Sequence, residues 1–319
     1  MSIFDVNGKP LEASAEMPFI SVKAYGAKGD GVTDDAQAIQ DALDAASDGG
    51  MVYFPAGTYL LTEAVLFYSN QHIVGDGATL LRGAEIDNLM RDNATTGITA
   101  YNGTHDVIIE GLIFDGGAYT TNITLLAFCH SKNMIVRNCT FKNAYGGWHN
   151  LEVNSSQHVL IDDCDFDGTR HRDSNQACLI QLDAFNVDGA YPWVSARDWT
   201  GCEDIEIRRC HFYNVTGASP CIGNHTLVSA KNVRIHECMF NTCPNTRGTI
   251  AFQVGDAVDV YDNTLKDCSI CFWVGNTTNN FAHDNRITNA TTVIKAGFTG
   301  YNNIIDGVLV VSSMPETET

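Results

Sequence analysis

The sequence predicts an all-β fold: a single-stranded right-handed parallel β-helix (solenoid) closed at its amino-terminal end by one capping α-helix. Three observations lead to this prediction. An eight-residue phrase recurs along the chain, a cysteine recurs at one place within the phrase, and no helical periodicity follows residue 50. Repeats built from short β-type runs and separated by Asn, Asp, Gly and Ser are typical of stacked coils.

The recurring phrase alternates apolar and polar residues and ends on an aromatic residue. It occupies residues 107–114 and returns at 134–141, 159–166, 205–212 and 233–240. Its terminal Phe residues follow one another at intervals of 25 to 28, except for an interval of 46 that indicates one long insertion. Cysteine precedes the Phe by two positions in the last four of these copies. We therefore expect an inward ladder with steps of about 4.8 Å, formed by Cys139, Cys164, Cys210 and Cys238.

Residues 21–59 predict how the solenoid begins. Thr33 or Asp34 is expected to cap a helix that ends at Gly49 and Gly50, before the first coil. Such a helix would cover the otherwise open end of the core with its apolar face. That face carries Ile39, Leu43 and Ala46. The predicted domain organisation is an adaptor segment at 1–17, the β-helix at 18–312 and a disordered polar tail at 313–319.

Composition limits the classes of function. The 319 residues include 19 Lys and Arg against 38 Asp and Glu, a formal net charge of −19. This balance predicts no nucleic-acid partner, because phosphate binding needs clustered cations. No apolar stretch is long enough to predict membrane insertion, and the amino terminus lacks the pattern of a signal peptide.

Cysteine usage predicts buried thiols rather than a disulfide framework. The count of eleven is odd, and four of the cysteines belong to the inward ladder. Cys268 and Cys271 form a CxxC pair, but no second pair follows at zinc-site spacing. We predict neither a metal site nor a cofactor.

Candidate catalytic residues lie in the strand that precedes each phrase. Glu152, Asp183 and His225 fall within about one residue of the same strand position in three consecutive coils. Two carboxylates on neighbouring strands, about 5 Å apart, would split their proton affinities. One could then donate a proton to a glycosidic oxygen while the other activates water or attacks carbon. The alternative is that both carboxylates only cap strand ends or bind a water molecule.

The opening segment, 21–59, closely resembles the first module of the pectate-lyase-like β-helix superfamily, which includes polygalacturonases, alginate epimerases and phage tail spikes. The polar strands at 151–154, 181–183 and 223–225 resemble, in order, the catalytic motifs of glycoside hydrolase family 28. The chain departs from that family because it has no Asp-Asp pair and has Gly-Asn-His instead of Gly-His-Gly, which argues against homogalacturonan as substrate.

This resemblance implies a polysaccharide-degrading hydrolase of the tail-spike type. It further implies a homotrimer that is extracellular or virion-associated. Besides the three catalytic candidates, it implies substrate contacts by His149, Gln181, Asn224 and Lys295.

The insertion after Asp183 and a neighbouring loop supply further candidates. Trp193 and Trp199 could stack on sugar rings, or could instead pack back onto the solenoid. Arg170 could pair with a substrate carboxylate or with the acidic residues of 162–167.

Two other functions stay open. A lyase would use Ca²⁺ held by the acidic residues of 162–167, although their alternation predicts a solvated strand face. A non-enzymatic phage receptor-binding protein would grip a glycan without cutting it.

Overall fold

The computed structural model describes residues 18–93, 97–168, 170, 178–184, 198–215, 220–228 and 230–311, without the side chains of 276–278. The chain winds into coils whose strands stack in parallel, so the predicted parallel β-helix is confirmed. Each complete coil contributes to three strand ladders, here named faces A, B and C. The predicted adaptor at 1–17 and the tail at 313–319 lie outside the described residues.

Face A and face B hold the recurring phrase, and three long strands bend from one face into the next. Face A comprises Phe19–Ser21, Gly50–Phe54, Gln71–Arg82, His105–Asp115, Lys132–Arg137, Gln157–Asp162, Glu203–Arg208, Ala230–His236, Ile250–Tyr261, Phe281–His283 and Thr299–Tyr301. Face B comprises Asp30–Asp34, Thr58–Leu61, the second halves of Gln71–Arg82 and His105–Asp115, Thr140–Lys142, Asp165–Asp167, His211–Tyr213, Met239–Cys243, Thr264–Cys268, Arg286–Thr288, Asn303–Ile305 and Val308–Val310.

Face C follows the variable loops and carries the candidate site. Its strands are Val65–Phe67, Asn88–Asp92, Thr124–Cys129, Leu151–Asn154, Ile180–Asp183, Ile222–Asn224, the first half of Ile250–Tyr261, Ile270–Thr278 and Thr292–Ala296.

The phrase residues stack inside the solenoid as the repeat predicts. The five terminal Phe rings are fully buried and nearly parallel, with centroids 4.7–4.9 Å apart from Phe114 to Phe240. The four phrase cysteines are buried beside them, and all eleven cysteines of the chain are free thiols. The predicted inward ladder of thiols is confirmed.

An asparagine ladder continues the cysteine ladder in the later coils. The Asn263 side chain accepts a hydrogen bond from the Cys238 N–H at 2.9 Å and donates to Asn285 Oδ1 at 3.0 Å, and Asn285 donates to Asn303 Oδ1. The residue before each rung has a positive φ, from 51° at Asn138 to 56° at Glu237. This left-handed residue turns the chain from face A to face B, so the polar rungs cap a repeated corner.

The amino-terminal helix is present, but its ends differ from the prediction. It spans Ala36–Ala45, and its N-cap is Asp35 rather than Thr33 or Asp34. Long-range contacts set this start: Asp35 accepts the N–H groups of Lys28 and Gly29, and Asp34 binds Thr62 of the next coil.

The helix also ends before Gly49 and Gly50. The reason is again a long-range contact, because the Gln71 amide donates to the carbonyls of Leu43 and Ala46. Ile39, Leu43 and Ala46 are buried against the core, as expected. Within the part of the chain that the structure describes, no helix is long and apolar enough to cross a membrane.

Candidate functional site

Face C turns a polar row of side chains away from the core. Leu151 and Val153 point inward and have no exposed surface, so Glu152, between them, points outward. Ile180 and Leu182 are likewise inward and flank the outward Gln181. Glu152 and Gln181 therefore lie on the same outer side of these two strands.

Their relative placement differs from the expectation. Glu152 pairs with Gln181 across the two strands, whereas Asp183 pairs with Asn154. Glu152 and Asp183 are therefore diagonal neighbours with Cα atoms about 8 Å apart, not lateral neighbours about 5 Å apart. The two strands are paired from end to end, and Glu152 occupies the second position of its strand whereas Asp183 occupies the last position of the next.

Asp183 is a buried carboxylate enclosed by donors. Its Oδ1 accepts the backbone N–H groups of His225 at 2.9 Å and Thr226 at 3.2 Å, together with the Thr226 hydroxyl. Its Oδ2 contacts His225 Nδ1 at 3.0 Å and accepts from the Gln181 amide at 2.5 Å. Burial opposes its ionisation, but these hydrogen bonds and the positive charge of His225 outweigh burial and lower the pKa of Asp183.

Glu152 has the opposite environment. Burial is the largest cause that raises its pKa, to about 7, and the negative charge of Asp183 adds to this. Two weaker donors act in the other direction: the Asn154 amide at 2.9 Å and the Thr124 hydroxyl at 3.3 Å. Between the two pKa values, and so below about pH 7, the site therefore holds one protonated and one ionised carboxyl group.

Two histidines accompany the carboxyls, with ring centroids 6.4 Å apart. Burial lowers the pKa of His149 to about 4, so its ring is neutral, and it donates from Nδ1 to the Cys178 carbonyl. For His225, burial favours the neutral ring, but the hydrogen bond and charge of Asp183 outweigh burial and raise the pKa. The His225 side chain is 27% exposed, against 6% for Asp183, so the ring is the part of this pair that faces solvent.

Gln181 hydrogen-bonds Asp183 rather than projecting into solvent. Its side chain is fully buried, and its amide N–H points at the Asp183 carboxylate, which can only accept. This orientation leaves Gln181 Oε1 without a hydrogen-bond partner among the described residues, on the strand position paired with Glu152. A buried acceptor without a donor costs roughly 1–3 kcal/mol.

Three of the predicted substrate-binding residues either hydrogen-bond other parts of the protein or lie far from the two carboxyl groups. Asn224 is buried, accepts the N–H groups of Gln253 and Val254 and donates to the Val254 carbonyl, so it fixes the backbone. Arg170 donates to the carbonyls of residues 117–119 and stacks on Tyr145, rather than pairing with an acidic side chain of 162–167. Lys295 lies on face C at a bulge, four strands beyond Asp183 and therefore about 19 Å away.

The structure describes one of the two tryptophans that were predicted to stack on sugar rings. Trp199 is 56% exposed and lies where the insertion returns to the solenoid, beside Asp198, which accepts the Ala100 N–H. Its side chain is open to a ligand. Trp193 lies outside the described residues, and its role stays a prediction.

The acidic residues of 162–167 are not arranged around a common centre. Asp162 is buried and paired with Arg208 at 3.2 Å and Arg209 at 2.5 Å, and Asp165 faces His211 at 3.5 Å. Across the described ranges, no group of three or more His, Cys, Asp or Glu side chains is arranged to hold a metal ion.

Sequence reasoning missed several members of the site. Asn154, Thr124 and Thr226 hold the two carboxyls, and the first and last of these lie within two residues of a predicted catalytic residue. Trp273 was missed as a possible sugar platform: it faces outward on face C, with the Arg247 guanidinium 5.1 Å from its ring centroid. These residues can be identified only when it is known which residues of neighbouring face C strands are paired.

Comparisons with known proteins agree with this architecture. The family model described as rhamnogalacturonase A/epimerase, pectate lyase-like, matches residues 19–85. The solved structure of the Streptococcus pneumoniae surface protein and adhesin PfbA superposes with a TM-score of 0.74 at 22% identity, covering 91% of this chain and 85% of that one. The protein has a pectate-lyase-like β-helix fold.

Two curated relatives match the chain over part of their length. The plasmin and fibronectin-binding protein A of Streptococcus pneumoniae is 31% identical over 238 residues, which are 65% of this chain and 33% of that protein. The preneck appendage protein of Bacillus phage PZA is 28% identical over 180 residues, 47% of this chain and 20% of the relative. The chain thus spans a third or less of the length of these two relatives.

Proposed function

We propose that the protein is a glycoside hydrolase that cleaves a bacterial or plant polysaccharide bound across face C. The observation that carries this proposal is the opposite perturbation of two neighbouring carboxyls: the pKa of Glu152 is raised to about 7 and that of Asp183 is lowered. Pairs of acids separated in this way identify the proton donor and the ionised partner of glycosidic cleavage.

Glu152 is the proposed general acid. Its carboxyl is partly exposed and still protonated near neutral pH, so it can donate a proton to the leaving glycosidic oxygen. We expect activity to fall above about pH 7, because Glu152 then loses that proton.

Asp183 is the proposed general base, and His225 is its hydrogen-bonded partner. Both oxygens of Asp183 are already occupied by donors, which leaves little room for a water molecule on the carboxylate itself. In the reaction Asp183 would exchange one of these donors for the attacking water and take its proton, while the charged His225 ring keeps the carboxylate ionised.

The strand positions of Glu152 and Asp183 favour inversion at the anomeric carbon. Inverting enzymes separate their carboxyl groups by roughly 6.5–9.5 Å to admit a water molecule, and retaining enzymes by about 5–5.5 Å. A diagonal pair, with Cα atoms about 8 Å apart, leaves more room for that water molecule than a lateral pair with Cα atoms about 5 Å apart.

Glycan-contacting residues beyond the centre would be aromatic. Trp199 is exposed at the end of the insertion, and Trp273 lies on face C about 14 Å from Gln181. Two exposed or outward-facing indole rings suit a long substrate rather than a single sugar.

The test measures reducing ends released from a panel of bacterial capsule, cell-wall and plant polysaccharides. Glu152→Gln and Asp183→Asn should each lower kcat on the order of 10²–10⁴-fold. Glu237→Gln, which changes an exposed carboxylate on another face, should not. Retained activity in Glu152→Gln would refute the assignment, and products absorbing in the ultraviolet would indicate a lyase.

A second candidate function is glycan binding without cleavage. The similarity to a pneumococcal surface adhesin and to a phage appendage protein favours it. Retention of the wild type and of Glu152→Gln on a polysaccharide-containing gel, with no reducing ends released by either, would support this function over the hydrolase.

A further inference from the structure

Four polar side chains form a rectangle on the outer side of the two strands that carry Glu152 and Asp183. Glu152 is paired with Gln181 across the strands, and Asn154 is paired with Asp183. Side chains two positions apart on a strand point to the same side of a sheet, so each strand presents one carboxyl and one amide. The carboxyls occupy one diagonal of the rectangle and the amides occupy the other. Each carboxyl therefore has an amide two residues away on its own strand.

Each amide donates a hydrogen bond to the carboxyl of its own strand. Asn154 Nδ2 lies 2.9 Å from Glu152 Oε1, and Gln181 Nε2 lies 2.5 Å from Asp183 Oδ2. Both amides are buried, with 2% of Asn154 and none of Gln181 exposed. Because they are shielded from bulk water, a water molecule does not readily take the place of a donor that is removed here.

The Asn154 hydrogen bond decides which oxygen of Glu152 carries the proton. An amide N–H is only a donor, so the oxygen that it meets, Oε1, has no hydrogen of its own. The other oxygen, Oε2, faces the Thr124 hydroxyl at 3.3 Å, and a hydroxyl can accept as well as donate. The protonated acid therefore carries its hydrogen on Oε2.

The Gln181 hydrogen bond acts on the ionised carboxyl. A carboxylate only accepts, and the amide turns its N–H to Asp183 although this leaves Gln181 Oε1 without a partner among the described residues. Protonation of Asp183 Oδ2 would place one hydrogen against another. The bond therefore favours the ionised form of Asp183.

We propose that Asn154 and Gln181 are positioning residues of the site: Asn154 holds the proton of Glu152 on Oε2, and Gln181 holds Asp183 in its ionised form. This inference rests on the proposed hydrolysis, in which Glu152 donates the proton and Asp183 is the base. Each amide donates to the ionised form of its carboxyl as well, so the loss of either amide should make that carboxyl hold a proton more tightly.

Other groups around the two carboxyls set the background for these hydrogen bonds. Burial disfavours the ionised form of both carboxyls, and the hydrogen bonds of Asn154 and Gln181 oppose it. The ionisable groups that interact with the carboxyls from neighbouring elements are His149, His225, Cys129, Cys178 and Cys202. Beyond them, Arg91 and Asp92 act on Cys129, and Arg247 acts on His225 and Cys178. The variants below alter none of these groups, so a change in either titration reports the amide that was removed.

The experiment follows the carboxyl carbons of Glu152 and Asp183 by NMR in the full chain without substrate, from about pH 3 to 9. The chain is isotope-labelled in its Glu and Asp carboxyl carbons, and the two signals are assigned by their loss in Glu152→Gln and Asp183→Asn. Asn154→Ala should raise the titration midpoint of Glu152 by about one pH unit, or roughly tenfold in proton affinity, and leave that of Asp183 unchanged. Gln181→Met should raise the midpoint of Asp183 and leave that of Glu152 unchanged.

The matched control is Asn280→Ala, because Asn280 is a similarly buried amide that hydrogen-bonds the backbone of Gly255 and Val258. It should leave both midpoints at their wild-type values. Asn154→Val and Gln181→Leu have the same expected results as the first variants and replace either one that does not fold. Unchanged midpoints in the Asn154 and Gln181 variants, or equal shifts in Asn280→Ala, overturn the inference.

Activity distinguishes a failure of this inference from a failure of the proposed function. On a polysaccharide that the wild type cleaves, kcat/KM should fall on the acid side where Asp183 gains a proton and on the alkaline side where Glu152 loses one. Asn154→Ala should move the alkaline limb of this profile to higher pH, and Gln181→Met should move the acid limb to higher pH. Shifted midpoints in a protein that cleaves no polysaccharide refute the hydrolase alone. Cleavage with unmoved limbs and midpoints refutes the roles of the two amides alone.

Discussion

Replacing the proposed general acid should stabilise the protein, by an amount that depends on pH. Burial raises the pKa of Glu152 from 4.5 to about 7 in the folded chain. Below pH 4.5 the residue is protonated in both states and costs nothing. Between pH 4.5 and 7 only the unfolded chain ionises, so the folded state loses about 1.36 kcal/mol per pH unit, and above pH 7 the cost is constant at about 3 kcal/mol.

Glu152→Gln removes this cost while keeping a side chain of the same shape. Its glutamine oxygen can accept from Asn154 as the carboxylate does. The variant should exceed the wild type in free energy of unfolding by under about 1 kcal/mol at pH 5 and by about 3 kcal/mol at pH 8. Since the same change should abolish activity, stability and function would be opposed at one residue.

The assay is urea unfolding followed by circular dichroism at pH 5, 6, 7 and 8. Glu237→Gln, which alters a carboxylate that is 52% exposed, should show no such trend. A Glu152→Gln protein that is less stable than the wild type at pH 8, or a difference independent of pH, would refute the reasoning about Glu152.

Three further changes test other parts of the account. Asp92 is fully buried, and burial raises its pKa from 3.8 to about 7, so Asp92→Asn should add up to about 4 kcal/mol of stability at pH 8 and almost none at pH 4, measured by urea unfolding. Phe166→Ala opens a cavity between two stacked rings and should cost about 3–5 kcal/mol in the same assay, while a loss below 1 kcal/mol would contradict the continuous stack. Asn285→Ala removes the acceptor of the Asn263 backbone N–H and one of the two acceptors of its side-chain amide, so it should lower the melting temperature more than Asn289→Ala, a change at an exposed corner; equal effects would mean that the ladder contributes nothing.

The fold could be predicted because its information is local and repeated. Each copy of the phrase carries its own alternation, its aromatic residue and its corner, so the stacking of Phe114 on Phe141 follows from spacing alone. The helix ends could not be predicted in this way. They depend on Asp34 and Gln71 meeting partners in other coils, which a local cap pattern does not contain.

Which residues lie near one another on face C could be predicted from the sequence, but which of them are paired across neighbouring strands could not. Polar residues on face C identified Glu152 and Asp183, but the sequence does not show which residues of the two strands are paired: Glu152 is paired with Gln181, and Asp183 with Asn154. Asn224 and Arg170 show a second limit of prediction from sequence. Their side chains could hydrogen-bond a substrate, but in the structure they hydrogen-bond backbone groups of the protein.

The central claim is that two neighbouring acids on face C differ in protonation at neutral pH. Infrared difference spectroscopy of wild type against Glu152→Gln between pH 4 and 9 tests it directly, because a protonated carboxyl has a carbonyl band that a carboxylate lacks. A band lost in the variant and titrating near pH 7, with no further carboxyl band in Asp183→Asn difference spectra above pH 4, is the expected result. Titration of Glu152 near pH 4.5 would contradict the claim.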